Sequence, residues 1–188
     1  FGPGKPFSLG GGGAVLINDR RWLEPVAETL AEWPGAQAGS GWLRLLALEG
    51  CVVTIDAMGC QTAIAQAIVE QGADYVLALK GNQPALEQAV RAMFADAQAR
   101  GFRGIAHDRH ERTEKGHGRI EVRRCWTIRE PEHIAYLNAE ARWPGLCSIG
   151  MIEAERTSGQ TTSRETRYVI SSLAGVAEQV AGAARGHW

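Results

Sequence analysis

Two short apolar stretches decide the fold: Cys51-Val52-Val53-Thr54-Ile55, followed by Asp56, and Tyr75-Val76-Leu77-Ala78-Leu79, followed by Lys80. Each is brief and nearly all apolar, the first rich in β-branched side chains, which is how a strand covered on both faces reads. Between them, residues 61–71 place Ile64 and Ile68 four apart, flanked by Ala63 and Ala67, and Gly72 supplies a helix C-cap. After Lys80-Gly81-Asn82-Gln83, Pro84 suits the first position of a helix. Leu86, Val90, Met93, Phe94 and Ala97 then form an apolar stripe at helical spacing that ends near Gly101. Strand, helix, strand, helix predicts a parallel βαβ unit with a right-handed crossover.

Outward from this unit the rhythm changes. Ile120, Val122, Trp126 and Ile128 alternate with Glu121, Arg123, Thr127 and Arg129, the pattern of a half-buried strand. Residues 146–155 and 164–172 read as two more strands, with hairpin-turn chemistry at Thr157-Ser158-Gly159-Gln160. Residues 174–185 return to a helix. Before residue 42 the chain is glycine-rich, with a short strand expected over residues 14–17 and helices over 24–32 and 42–48. The expected organisation is an N-terminal segment (1–41), an α/β core portion (42–101), a β-rich, mostly antiparallel insertion (102–173) and the start of a returning core helix (174–188).

Composition narrows the class. Hydrophobic residues make up 45% of the 188 and charged residues 22%, enough to build one core and too much for wholesale disorder. No run of about 18 apolar residues is present, which excludes a spanning helix, and residues 1–13 lack the apolar region of a secretory signal. Cys51, Cys60, Cys125 and Cys147 form no C-x-x-C pair and have no ligand-spaced histidines, so buried thiols in a reducing cytosol are expected and the chain is read as cytoplasmic. The formal net charge of −1 is no nucleic-acid signal by itself. Locally the balance differs: residues 100–129 hold nine Lys and Arg against four Asp and Glu, with His107, His110 and His117 besides. Phosphate contacts need such a concentration; a solvated loop of interleaved signs has the same composition. The three histidines are not at ligand spacing for a metal.

Asp56 is the first candidate for chemistry. It follows a buried-type strand, where α/β sheets present functional groups, and its carboxylate can hold a hard cation such as Mg²⁺. An Asp that initiates a turn by bonding the backbone would sit in the same place. Lys80, between a strand end and a helix start, is placed to meet phosphate, although the loop has no P-loop pattern. Lys115-Gly116-His117-Gly118-Arg119 reads as a tight turn.

The blocks in order resolve what single residues leave open. Val53-Thr54-Ile55-Asp56-Ala57-Met58-Gly59-Cys60-Gln61 resembles the signature around the second acidic residue of insertion-sequence DDE transposases, in the ISAs group of the insertion-sequence-four-like superfamily. Gly72-Ala73-Asp74-Tyr75-Val76-Leu77-Ala78-Leu79-Lys80-Gly81-Asn82-Gln83 is similar to the next block, and His117-Gly118-Arg119-Ile120-Glu121-Val122-Arg123 to the third. Trp143-Pro144-Gly145-Leu146 and Thr166-Arg167-Tyr168-Val169-Ile170-Ser171-Ser172-Leu173 resemble two more, so the likeness runs unbroken over residues 42–188.

The resemblance implies an RNase H-like sheet that presents three acids to two Mg²⁺ ions for DNA strand cleavage and transfer. It implies DNA, as transposon ends and target, for a substrate, a homodimer for the working unit, and no membrane. Asp56 would be the second acid and a metal ligand; Lys80, His117, Arg119, Arg123 and Arg124 would contact DNA. Two departures stand against a complete site. The Asp-Gly-Lys context of the first acid does not occur, and Asp19 is the one strand-associated Asp upstream. The third acid follows a His-Trp pair in the family, and the chain stops at His187-Trp188. Glu121 is an alternative third acid, though its alternating strand reads as surface. The expectation is therefore a transposase whose 188 residues are an incomplete or inactive fragment. The alternatives are a non-catalytic DNA-binding or dimer-interfering remnant, an RNase H-like metal-dependent nuclease, and an unrelated small-molecule-binding α/β domain.

Overall fold

The computed structural model describes residues 6–8, 13–16, 50–55, 60–81, 83–116 and 118–185. Its elements are β1 (Pro6–Ser8), β2 (Gly13–Leu16), β3 (Val52–Ile55), α1 (Thr62–Glu70), β4 (Asp74–Leu79), α2 (Pro84–Ala99), β5 (His107–Gly116), β6 (Arg119–Ile128), α3 (Pro131–Leu137), β7 (Ser148–Ser158), β8 (Thr161–Ser171) and α4 (Ala177–Arg185). The strands form one mixed sheet in the order β1-β2-β3-β4-β8-β7-β6-β5. Among them only β3 and β4 pair in parallel, with Ile55 opposite Leu77; every other neighbouring pair is antiparallel. The expected parallel unit is therefore present, and β8 pairs directly with β4, so the β-rich half extends the same sheet. The helices expected over 24–32 and 42–48 lie outside the described residues, as does Asp19.

Alternation along the strands sorts two cores. Val53, Ile55, Tyr75, Leu77, Leu79, Ile128, Ile149 and Ile170 face α1, α2 and α3, meeting Ile64, Ile68, Val90, Phe94 and Ala97. Val52, Val76, Cys125, Ile152 and Val169 face the other way, onto Ala177, Val180, Ala183 and Ala184 of α4. Both faces of the central strands are thus covered, which is why their sequences are apolar throughout. In α1 the residue that completes the buried face is Ala65, while Ala63 is exposed, a correction to the expected stripe. The helix ends as a Schellman motif: Gly72 N–H donates to the Val69 carbonyl and Ala73 N–H to that of Ile68, with Gly72 at φ 73°. Of the cysteines, Cys51, Cys60 and Cys125 are buried but Cys147 is exposed, at the entry to β7.

Besides β1, two elements are new. No strand is expected between Gly101 and Ile120, yet β5 runs from His107 to Gly116. Its sequence HDRHERTEKG has no apolar residue and hence no hydrophobic period. It is the outer strand, and its charges suit an open edge that must not recruit further strands. Helix α3 starts with Pro131 at its first turn and lays Ile134 and Leu137 against the first core. Beyond it, the Asn138 amide donates to the Trp143 carbonyl and its oxygen accepts from Trp143 N–H, seating Trp143 in the core.

Helix α4 is anchored by a residue far away in sequence. The Asp108 carboxylate of β5 accepts from Ala177 N–H at 2.9 Å, satisfying a first-turn amide that the helix itself cannot. That bond, chiefly, with the Arg109 amide and the Arg129 and His107 charges, holds the Asp108 carboxyl below its ordinary value of 3.8 against a smaller desolvation effect. Because the folded value is depressed, the stabilisation is complete above about pH 4 and disappears as the pH falls through the lower folded value. Asp108→Ala should cost about 1 kcal/mol at pH 7, and in urea unfolding at graded pH the difference from wild type should shrink as the pH falls through the depressed folded value.

Candidate nucleic-acid interface

Parallel pairing puts the carboxyl ends of β3 and β4 on one edge of the sheet. Asp56, the residue after Ile55, lies outside the described residues, as do residues 57–59. The chain is described again at Cys60, which is buried, and burial pushes its thiol up to about 12. The loop after β4 reaches back to this point: Gln83 Nε2 donates to the Cys60 carbonyl at 3.1 Å. That commitment leaves Gln83, at the N-cap of α2, with no side-chain bond to the helix amides. Lys80 is exposed, with its carbonyl accepting from Gln83 N–H at 2.9 Å. The segments that follow the two parallel strands are thus tied together, and Lys80 stands in the second of them.

The register of the other strands extends this edge. Leu79 lies opposite Tyr168, which in turn lies level with Met151, Trp126 and Arg109. From that level β8 runs on through residues 161–167, β7 through 152–158, β6 through 119–125 and β5 through 110–116. Seven residues per strand, at roughly 3.3 Å each, carry this four-stranded arm about 23 Å past the end of β4. It projects from the edge at which β3 and β4 end and Lys80 stands. Lys80 and the basic stretch, two candidate regions of the sequence, therefore share one end of the described sheet.

The basic residues of the arm fall on different faces. Arg119, Glu121 and Arg123 alternate in phase with Cys125, toward the α4 side, whereas Arg124 is in phase with Trp126 and Ile128, toward α1–α3. Arg119 is exposed and has no carboxylate partner among the described residues. Arg123 Nε bonds Glu121 at 2.5 Å, and Arg124 meets Glu111 at 3.1 Å and Glu155 at 3.7 Å. Burial raises the Glu121 carboxyl, but the Arg123 hydrogen bond and the Arg123 and Arg156 charges outweigh it, so it stays below the ordinary carboxylate value. His117 lies outside the described residues. His107 bonds the Ile105 carbonyl and packs on Phe102, and His110, three residues on, takes the other face of the strand.

Glu121 does not join the edge. Ile55 is level with Ile128 through Leu77, Ile170 and Ile149, so Glu121 stands seven residues further along and four strands across. Strand rise and spacing make that roughly 30 Å from the end of β3. With two guanidinium partners it is an ion-paired arm residue. Among the described residues no group of three His, Cys, Asp or Glu could hold a metal ion. Arg112, Arg156, Arg167 and Arg185, which line the arm beside Arg123, do not stand out as site residues in the sequence. What groups them is the pairing of four strands with α4, which no local pattern of the sequence carries.

Comparison with known proteins finds relatives named as transposases. A protein of Xanthobacter autotrophicus, "Uncharacterized protein in dhlA 3'region", is 45% identical over 135 residues, covering 69% of this chain and 42% of its own. The Escherichia coli K12 "H repeat-associated putative transposase YhhI" is 35% identical over 150 residues, covering 78% of this chain and 38% of its own. "Putative transposase YncI" of Escherichia coli O157:H7 is 37% identical over 150 residues, covering 78% and 37%. The chain thus spans about two fifths of the length of these relatives. No family model and no solved structure matches it. The names of the relatives support a transposase family.

The tie between the two loops is open to a direct test. Gln83→Ala should loosen the segment at Cys60, and alkylation of Cys60 by iodoacetamide, mapped by mass spectrometry, should rise severalfold. Cys125, buried behind α4 and likewise pushed up to about 12 by burial and, less, by Asp108, should stay as slow as in the wild type.

Proposed function

We propose that this chain, similar over most of its length to proteins named as transposases, is the DNA-handling part of an insertion-sequence DDE transposase. The observation that carries the reading is the register: the arm bearing Arg119, Arg123 and Arg124 projects beyond the same edge that Asp56 and Lys80 follow in the chain. In this reading β3, α1 and β4 belong to an RNase H-like core and β5–β8 to its insertion, and the group is the ISAs group of the insertion-sequence-four-like superfamily. DNA lies along the arm, with its phosphates on the guanidinium groups and Lys80, and the scissile phosphate near the end of β3. The working unit is a homodimer on paired transposon ends.

Asp56 would hold Mg²⁺ through carboxylate oxygen, the donor that hard cations take. When bound, the metal supplies an activated water or 3′-hydroxyl and stabilises the leaving oxygen. The described groups at that edge suit substrate better than metal: Lys80 is a cation, and Gln83 is spent on the Cys60 carbonyl. Two-metal sites need several carboxylates, and the family motifs assign one of them among these residues, Asp56. A single carboxylate binds Mg²⁺ weakly, because the ion gives up its waters reluctantly. That observation favours a second reading, in which the 188 residues bind DNA without cutting it.

Two measurements separate the readings. Duplex DNA of arbitrary sequence should bind, with a logarithmic salt slope that falls by roughly 0.9 for each phosphate contact removed. Arg119→Ala should have the largest single effect, because Arg123 and Arg124 are held by carboxylates; unchanged binding on replacing all three would leave the arm only a solvated face. In the second measurement, the 188-residue chain with Mg²⁺ should leave duplex DNA unnicked. Nicking that Asp56→Ala abolishes would instead show that other acids within these residues complete the site.

A further inference from the structure

We infer that the groove between α4 and the projecting arm is a binding site for the phosphate backbone of a DNA strand, an inference that rests on the reading that this chain handles DNA. The groove holds about 250 Å³ and is lined by Arg112 of β5, Arg123 of β6, Arg156 of β7, Arg167 of β8 and Arg185 of α4. Four strands and a helix contribute guanidinium groups to the same space, which Arg124, Glu111, Glu165 and Glu178 also line, with Arg167 paired to Glu165 at 2.8 Å.

The pairing of these groups points to an anionic ligand. Glu121 accepts from both Arg123, at 2.5 Å, and Arg156, at 3.5 Å. Glu114 accepts from both Arg185, at 2.6 Å, and Arg112, at 3.1 Å. One carboxylate carries one charge, so each trio keeps a positive charge uncompensated. Phosphodiester oxygens supply that charge, and the planar fork of the guanidinium matches them in geometry. On the opposite face of the arm Arg109, Arg124 and Arg164 share Glu111 and Glu155.

The floor of the groove explains why backbone and not base would sit there. It is made of small or aliphatic residues, among them Ala154, Ile152, Ala181 and Gly182, and a side chain added at Gly182 would meet nothing within 4 Å. Among the described residues no Phe, Tyr or Trp lines it and His110 is the one ring on its wall, so it offers a base little to stack on. The groove therefore holds register without reading sequence.

The test uses the 188-residue chain and fluorescently labelled oligonucleotides of arbitrary sequence, single-stranded and duplex, in an anisotropy titration across salt. Arg112→Gln with Arg156→Gln removes the more distant arginine of each trio and leaves both carboxylates paired. This variant should weaken binding about tenfold at low salt. It should also lower the salt slope by about 0.9 for each duplex phosphate no longer neutralised, or by about 0.7 on a single strand. Arg109→Gln with Arg164→Gln makes the same change in net charge on the opposite face and should weaken binding much less. Equal weakening in the two variants, or none in the first, overturns the inference. DNA binding that fails in the unaltered chain overturns the DNA reading itself, and this inference with it. A measurement on the unaltered protein does not depend on the variants folding: DNA should protect Arg156 and Arg185 from phenylglyoxal more than Arg109 and Arg164. Equal protection of the two sets would place the strand elsewhere.

Discussion

The pairing of β4 with β8 is the contact on which the remaining architecture depends. It joins the parallel unit to the antiparallel meander, and side chains secure it as well as the ladder. Ser171 Oγ donates to the Tyr75 carbonyl and accepts from Leu173 N–H. Ser172 Oγ donates to the Asp74 carboxylate and accepts from Tyr75 N–H. These bonds fix the register in which Leu79 meets Tyr168, and β7, β6 and β5 then follow from it. A slip of one residue would turn every side chain of β8 to the other face. Val169 would leave the α4 core, and Arg167 would leave the groove. The arm projects where it does because two adjacent serines hold one strand end.

This explains what the motif blocks are physically. The stretch from Gly72 to Gln83 and the stretch from Thr166 to Leu173 are the two sides of a single strand pairing. Trp143-Pro144-Gly145-Leu146 is a packing unit: Trp143 and Leu146 are buried, and at Gly145, with φ 70°, an added Cβ would lie 3.4 Å from Val69 of α1. The parallel unit was legible because its strands are covered on both faces, so apolarity alone marks them. Strand β5 was not, because an edge strand with no buried face leaves no hydrophobic period to read. The candidate site was legible only in part. Asp56 and His117 stood out in the sequence and lie outside the described residues, while the grouping of arginines needed a register that no local pattern carries.

Charge illustrates the same limit. The sequence shows a net charge of −1 and one basic stretch, both of which are sums along the chain. Folding sums differently, by face. Strand alternation sends Arg123 and Arg124, neighbours in sequence, to opposite sides of the sheet, and brings Arg156 and Glu121 together across a strand pair. A nearly neutral protein can in this way present a groove with guanidinium groups in excess of carboxylates.

Partly exposed ion pairs add little stability, about 0–1 kcal/mol each. The arm therefore does not owe its shape to them; the hydrogen-bonded ladders of β5–β8 and the apolar seam under α4 hold it. An arginine that shares its carboxylate with a nearer one gives up still less when it turns to another anion, because the carboxylate keeps a partner and no charge is left stranded. The same exchange at a one-to-one pair would expose a lone carboxylate to an incoming phosphate, and like charges would oppose the approach. Two arginines on one carboxylate is thus an arrangement in which the protein is folded and compensated without the nucleic acid, yet keeps a cation free to meet it.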